Sequence, residues 1–171
     1  MASDAVSATR IRPAVPSDLG AVDRLLSRSY PALLKADYPA STLVLAIPRI
    51  TRARPELLGG GIYYLSEGDH GIVAAGGWSR APPVAGDGGA DIGHVRRVAT
   101  DPDHLRQGHA GRIMRHTLSQ ARSAGMTGMA CLSTRTAVPF YAAVGFEGIE
   151  EVEVPLGPGI VFPAVRMSLM F

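Results

Sequence analysis

The sequence has one cysteine, few aromatic residues and no long apolar segment. Cys131 stands alone, so it cannot form a disulfide within the chain, and no Cys/His cluster has metal-ligand spacing. No run of about 18 apolar residues is present, and the first residues lack the apolar core of a signal peptide. We therefore expect a cytoplasmic protein without a structural metal and without a membrane-spanning segment.

A strong charge of either sign is missing as well. The 17 Lys and Arg residues oppose 15 Asp and Glu residues, which leaves a formal net charge of +2. The arginines are scattered and are not interleaved with aromatic residues, whereas a nucleic-acid-binding surface needs a dense basic stripe. We expect no nucleic-acid partner, but a small polyanionic ligand is compatible with this balance.

Apolar material is present in the amount that one globular domain needs. The chain has 171 residues, of which 46% are hydrophobic and 19% charged, enough for a sizeable core in a domain of ordinary size. No repeat or linker divides it. We predict a flexible N-terminal tail over residues 1–9 and one folded domain over residues 10–171.

Hydrophobic periodicity and turn residues predict the order β-α-α-β-β-β-α-β-α-β-β. This order indicates an α/β (α+β) domain with a mixed, twisted sheet of about six or seven strands flanked by about four helices. Pro31 should end the first helix near Tyr30, and Pro48 should interrupt the second helical region. The predicted strands cover residues 11–14, 62–66, 72–79, 92–100, 129–133, 147–154 and 161–170, and the best helix covers residues 108–124.

A glycine-containing loop between the strand at 92–100 and the long helix is the most informative segment. Backbone N–H groups at a helix N-terminus have no intrahelical partner and carry partial positive charge, which suits a pyrophosphate. Gly108 has no Cβ, so the backbone there can approach a phosphate closely. Neither a P-loop nor the dinucleotide-binding glycine pattern is present.

These segments resemble the GNAT superfamily of N-acetyltransferases. Its cofactor motif, roughly Val-(Asp/His)-Pro and then Arg/Gln-x-x-Gly-x-Gly/Ala, is similar to Thr100-Asp101-Pro102 followed by Leu105-Arg106-Gln107-Gly108-His109-Ala110. A second signature, Ala-x-x-Phe-Tyr-x-x-x-Gly-Phe, is present in full from Ala137 to Phe146. The resemblance covers about residues 10–170. It departs at Thr100, where valine is usual, and at Leu105, where Arg or Gln is usual.

The resemblance implies that an amine attacks the thioester of acetyl-CoA, the cosubstrate, directly and without an acyl-enzyme. It implies that Tyr141 protonates the departing CoA thiolate as the general acid. It also implies that the N–H of Val98 polarises the thioester carbonyl, while Ala99 and Thr100 pair with pantetheine as an added strand would. The other implied cofactor contacts lie in the glycine loop: Arg106, Gln107, Gly108, His109, Ala110 and Gly111.

The general base leaves no clear mark in the sequence. If side chains alternate regularly along the strand, His94 and Arg96 share a face with Val98, and a histidine near its usual pKa of about 6.5 accepts an amine proton. A histidine with only a structural role is an equally good interpretation. The other candidates are Asp91, Glu150, Glu151 and a water molecule.

The predicted function is therefore acetylation of a primary amine, that of a small molecule. Residues 31–60 and the loop 81–89 should shape the acceptor site, but a protein N-terminus, a lysine, a polyamine and an amino sugar all stay open. Three alternatives stand beside this prediction: an acyl-CoA-binding or regulatory module without turnover, which Leu105 suggests; an enzyme for longer acyl groups; and an interaction protein. A homodimer is compatible with the resemblance.

Overall fold

The computed structural model describes residues 8–84 and 88–171. The greater part of the predicted N-terminal tail and the centre of the predicted loop 81–89 lie outside these described residues. Across residues 8–84 and 88–171, no helix has the length and apolar character that crossing a membrane requires.

Within the described residues, seven strands form one mixed sheet in the order β1-β2-β3-β4-β5-β7-β6. β4 and β5 run parallel, and the other neighbours are antiparallel. The predicted mixed α/β sheet is confirmed. The strands are β1 (Arg10–Pro13), β2 (Tyr63–Gly68), β3 (Gly71–Ser79), β4 (Ile92–Thr100), β5 (Gly128–Ser133), β6 (Glu147–Gly157) and β7 (Ile160–Met170).

Helices cover both faces of this sheet. One cluster of buried side chains joins α4 and α5 to the sheet, and a second joins α1 and α3 to its other face. The α-helices of the described chain are α1 (Leu19–Leu34), α2 (Ala40–Ile50), α3 (Pro55–Leu58), α4 (His109–Ser123) and α5 (Val138–Val144). Short 3-10 turns at Pro16–Asp18 and Pro102–His104 precede α1 and α4.

Proline does not end the helices where the sequence predicted. α1 continues through Pro31 to Leu34, and α2 continues through Pro48 to Ile50. A proline inside a helix costs about 3 kcal/mol because one hydrogen bond is lost and the ring crowds the previous turn. Leu34 is buried in a cluster that also holds side chains of α2 and β7, and this tertiary packing offsets the local cost. The last turn of α1 therefore packs against side chains of α2 and β7.

A β-bulge in β4 changes the direction of its side chains. The cross-strand pairs are Ser79 with His94, Gly77 with Arg96, and Ala75 with Ala99. Two residues, Arg97 and Val98, therefore lie opposite Gly76 alone. Arg97 has a left-handed φ of 48°, and its carbonyl accepts a 2.7 Å hydrogen bond from the buried Tyr63 hydroxyl, which holds the bulge in place.

The bulge makes one sequence prediction wrong. Regular alternation placed Val98 on the same face as His94 and Arg96, but the extra residue moves Val98 to the opposite face. There it packs into the cluster with α4, where a Cβ on Gly76 would lie 3.0 Å from Val98 Cγ2 and 2.9 Å from Ile113 Cγ2. Val98 and His94 therefore point to different sides of the sheet.

Candidate active site

A cleft opens at the centre of the sheet because β4 and β5 diverge. The two strands pair only where Ile92–His94 meet Gly128–Ala130. Beyond that point both continue, and the rest of β5 pairs only with β7. The gap forms a cavity of about 310 Å³ that side chains of β4, β5, α1 and α5 line. We call this cavity the central cleft.

The start of α4 borders the central cleft. Ala110 lines the cleft, and the first hydrogen bond within the helix runs from the Arg112 N–H to the Gly108 carbonyl at 3.0 Å. The N–H groups of residues 109, 110 and 111 precede that bond, so they have no partner within the helix. They are available to an anion at the edge of the cleft, together with the positive end of the helix dipole.

The loop before α4 has the backbone geometry of an open cradle. Arg106 and Gly108 adopt left-handed φ angles of 59° and 82°. A Cβ built on Gly108 would have no neighbour within 4 Å, so the space above this residue is open to a ligand. These observations fit the pyrophosphate of a CoA molecule, since its oxygens need several converging donors and a close backbone approach.

Arg28 of α1 holds the same loop from the other side. Its guanidinium donates to both carboxylate oxygens of Asp101, at 3.0 and 3.3 Å, and to Asp103 at 2.9 Å. Asp101 also accepts a 2.9 Å hydrogen bond from the Asp103 N–H. Burial alone would raise the pKa of Asp101, but these hydrogen bonds, that from Arg28 foremost, keep its pKa below the usual value. The carboxylate therefore stays charged and the loop stays anchored to α1.

His109, predicted to contact the cofactor, has a buried ring. The side chain is 3% exposed, and Nε2 lies 3.1 Å from the Gln107 side-chain oxygen. Burial is the largest of the effects that lower its pKa, and the nearby His104 lowers it further. The ring is therefore neutral near pH 7, and the backbone N–H is what His109 offers to an anion. Arg106 and Gln107, in the loop before α4, have side chains that are exposed to solvent.

The structure brings the predicted acid and the predicted thioester contacts into one cavity. Tyr141, on α5, lines the central cleft together with Val98, Ala99 and Thr100 of β4. Edge-to-face contacts with Phe140 and Phe146, at centroid distances of 5.1 and 5.5 Å, orient its ring. Burial raises the pKa of Tyr141 well above its ordinary value. Its hydroxyl is therefore protonated at physiological pH and is available as a donor.

Cys131 also lines the central cleft, but its thiol is a poor nucleophile at neutral pH. The thiol is buried, and burial raises its pKa to about 12. Because only the thiolate is a good nucleophile, a thiol that stays protonated at neutral pH does not favour an acyl-cysteine intermediate. Its side chain packs within the buried cluster that joins α4 and α5 to the sheet.

None of the four residues predicted as candidate bases, His94, Asp91, Glu150 and Glu151, lines the central cleft. His94 is 3% exposed and lines a separate cavity of about 310 Å³, where a Cβ on Gly88 would come within 3.0 Å of its ring. Glu150 pairs with Arg166 at 3.3 Å, and Glu151 accepts from Arg135 at 2.8 Å. Among the described residues that line the cleft, none is Asp, Glu or His.

Two hydroxyl-bearing residues of the cleft, Ser29 and Tyr30, were not predicted from the sequence. Tyr30 donates a 3.4 Å hydrogen bond to the Val98 carbonyl. The hydroxyls of Ser29 and Thr136 are buried and have no hydrogen-bond partner among the residues that the structure describes. Thr134 Oγ1 accepts from the Ala137 N–H at 3.2 Å in the turn that precedes α5. No sequence signal marks Ser29 or Tyr30, because Pro31 obscures the end of their helix.

The family follows from a match that spans this site. A model of the acetyltransferase (GNAT) domain matches residues 59–148, a stretch that runs from the end of α3 to the start of β6. The chain belongs to the GNAT acetyltransferase family. Membership confirms the predicted superfamily and acyl transfer as the general chemistry, with acetyl-CoA as the expected cosubstrate. No curated protein matches the sequence.

Solved structures with the same fold include other GNAT proteins. A GCN5-related N-acetyltransferase from Rhodopseudomonas palustris aligns with a TM-score of 0.77 and 16% identity over 96% of this chain and 97% of that chain. PaiA N-acetyltransferase from Thermoplasma acidophilum, in complex with coenzyme A, aligns with 0.71 and 12% over 96% and 99%. A GNAT acetyltransferase from Brucella melitensis, in complex with acetyl-CoA, aligns with 0.61 and 16% over 96% and 89%. At these identities the comparison establishes the fold.

Proposed function

We propose that this GNAT protein transfers an acetyl group from acetyl-CoA to the primary amine of a small molecule by direct attack. The proposal rests on the set of groups that line the central cleft. It combines the open N-terminus of α4, the backbone of β4 beyond the bulge, and the protonated hydroxyl of Tyr141. These are the three elements that binding, activation and release of the thioester require.

Each element has a defined task in this proposal. Bound acetyl-CoA supplies an activated thioester whose carbonyl accepts an amine. The N–H groups of residues 109–111 and the exposed Arg106 hold the pyrophosphate. Ala99 and Thr100 align pantetheine, and the N–H of Val98 stabilises the developing oxyanion. Tyr141 donates its proton toward the departing sulfur.

The acceptor must reach the reaction centre as a neutral amine. Because no carboxylate or histidine among the described residues lines the cleft, we propose that water, and not His94, carries the amine proton away. A small acceptor is supported by a second cavity of about 360 Å³ beside the cleft, a volume within the range of small-molecule sites.

This proton path predicts the pH dependence of the reaction. kcat/KM should rise with pH until the acceptor amine is neutral and then level off. Tyr141 should cause no decline below about pH 10, because its raised pKa keeps the acid form populated throughout that range. Initial rates with one amine from pH 6 to pH 10, with protein stability measured in parallel, check this. A falling limb below about pH 10 in a folded protein would contradict it.

A binding module without turnover is the second candidate, and Leu105 favours it. Leu105 replaces a polar residue of the family motif, is 38% exposed and lines the cleft. It offers an apolar contact where a side-chain hydrogen bond is usual, although the backbone donors of α4 are unaffected. Calorimetric titration with acetyl-CoA, followed by acetylation assays with a panel of amines, distinguishes the enzyme from the binding module. Saturable binding with no acetylation of any amine would favour the module.

The Cys131→Ala variant should retain activity. Direct attack needs no enzyme nucleophile, and the thiol with its pKa near 12 is protonated, so we expect kcat to stay within about threefold. The stability should fall by about 1 kcal/mol, as for other small losses from a core. Turnover assays check the rate, and mass spectrometry of the acetyl-CoA-treated wild type checks for an adduct. Acetylated Cys131, together with an inactive but folded variant, would overturn direct attack.

A further inference from the structure

Three arginines line the second cavity beside the central cleft. Arg54 follows α2, and Arg96 and Arg97 lie at the bulge of β4. The two cavities share part of their walls, including Tyr30, Arg97 and Thr134. The larger cavity, of about 360 Å³, therefore opens onto the point where the acyl group would be transferred. We call it the arginine pocket.

The positive charge of this pocket has no counterpart within the described chain. No Asp, Glu or His is among the described residues that line it, and none of its three arginines forms an ion pair with a described carboxylate. Arg97 donates to the Ile50 carbonyl. Arg96 donates to the Ser79 hydroxyl at 3.1 Å. Glu56 borders a smaller adjoining cavity with Arg54 and Arg96 but makes no ion pair with either.

Burial and mutual repulsion both act on Arg96. Burial is the larger of the effects that lower its pKa, and the charges of Arg97 and Arg54 lower it further. An arginine nevertheless stays protonated in proteins. The fold thus holds a half-buried guanidinium beside two others, an arrangement that costs free energy unless an anion compensates the charge.

The chemistry of guanidinium selects the anion. Its planar set of N–H donors matches a carboxylate in a two-point contact, and hydrogen bonds between charged partners are stronger than neutral ones. Arg96 and Arg97 each direct one nitrogen to a protein oxygen, which leaves further donors. Because Arg97 borders both cavities, a ligand held in the arginine pocket extends toward Val98 and Tyr141.

We infer that the acceptor is a small amine that also carries a carboxylate, such as an α-amino acid. The arginine pocket binds the carboxylate, and the amine reaches into the central cleft. The inference rests on the proposed function, since it names the acceptor class of that same reaction. The acceptors left open by the sequence include polyamines, which this pocket repels.

Matched pairs of acceptors test the inference. The pairs are L-lysine with cadaverine, L-phenylalanine with phenethylamine, and L-histidine with histamine, and rates are corrected to the neutral fraction of the reacting amine. We expect kcat/KM to be at least about tenfold higher for the carboxylate-bearing member of the preferred pair. Equal or faster acetylation of the decarboxylated members would overturn the inference.

A binding measurement covers the case in which none of these amines reacts. N-acetyl-L-phenylalanine, N-acetyl-L-histidine and their carboxamides are titrated into the protein–CoA complex. Tighter binding of a carboxylate than of its amide supports the arginine pocket. Equal binding, or no binding of any carboxylate, overturns it. Titration with acetyl-CoA alone reports separately on the proposed function, so failure of the two is distinguishable.

Single variants locate the contact. For a carboxylate acceptor, Arg96→Gln and Arg54→Gln should each raise KM about tenfold, while the Kd of acetyl-CoA changes less than about twofold. Arg96→Lys should retain part of the affinity, because the charge stays but the two-point geometry is lost. Arg52→Gln removes the same charge from an exposed residue outside the pocket and should have no effect. If Arg52→Gln and Arg96→Gln behave alike in folded proteins, the pocket does not bind the carboxylate.

Discussion

The Gly108→Val variant should lose at least about a hundredfold in affinity for acetyl-CoA. Gly108 has a left-handed φ of 82° and open space where a Cβ would lie. A valine side chain would fill the space that we assign to the pyrophosphate, and its branched Cβ disfavours the backbone angle by about 1–2 kcal/mol. Isothermal titration with acetyl-CoA measures the loss, and free CoA is the comparison.

The same helix offers a matched control at its other end. Gly125 lies just after α4, with a left-handed φ of 90° and no atom within 4 Å of its Cβ position. Gly125→Val should therefore lower the free energy of unfolding by a similar amount and leave the Kd of acetyl-CoA unchanged. If both variants bind acetyl-CoA as the wild type does, the cradle is not at Gly108.

The Tyr141→Phe variant should lose about a hundredfold or more in kcat, within the range that removal of a general acid produces. The ring would still pack against Phe140 and Phe146, so the Kd of acetyl-CoA should change less than about twofold. Only the donor toward the leaving sulfur is lost. Single-turnover rates at saturating acetyl-CoA, with release of the free thiol as the signal, measure the chemical step.

Tyr64→Phe is the matched control for this effect. Tyr64 is buried in the same apolar cluster as Tyr141, but it does not line the central cleft. Removal of its hydroxyl should leave kcat within about twofold. An unchanged kcat for Tyr141→Phe would remove tyrosine from the proposed mechanism. The central cleft would then need another donor, and the hydroxyls of Ser29 and Thr136, which have no partner among the described residues, are the candidates.

Two sequence signals accounted for much of the candidate site. The loop from Leu105 to Ala110 and the signature from Ala137 to Phe146 are local patterns. Their backbone requirements, a left-handed glycine and a short helix with an aromatic pair, act over a few residues. The sequence alone can therefore reveal such requirements, without knowledge of the tertiary structure. The structure places both at the central cleft, together with the strand residues Val98 and Thr100.

The base was harder to place, because strand alternation is a local rule that a single inserted residue breaks. The bulge at Arg97 and Val98 depends on pairing with Gly76 and on the hydroxyl of Tyr63. Neither contact can be inferred from β4 alone. The face shared by His94 and Val98 was therefore predicted wrongly, although each residue lies on the predicted strand.

By itself the sequence predicted the seven strands in their order, the glycine loop before α4 and the tyrosine of α5, because hydrophobic period, glycine geometry and short motifs act over neighbouring residues. Its predicted order lacked one of the three helices between β1 and β2. Tertiary structure alone decided that α1 passes through Pro31, that β4 and β5 separate, and that Arg54 meets Arg96 and Arg97 in one pocket. Each of these depends on packing or pairing between segments far apart in the chain. The free energy by which these contacts stabilise the fold is gained only when the whole core assembles.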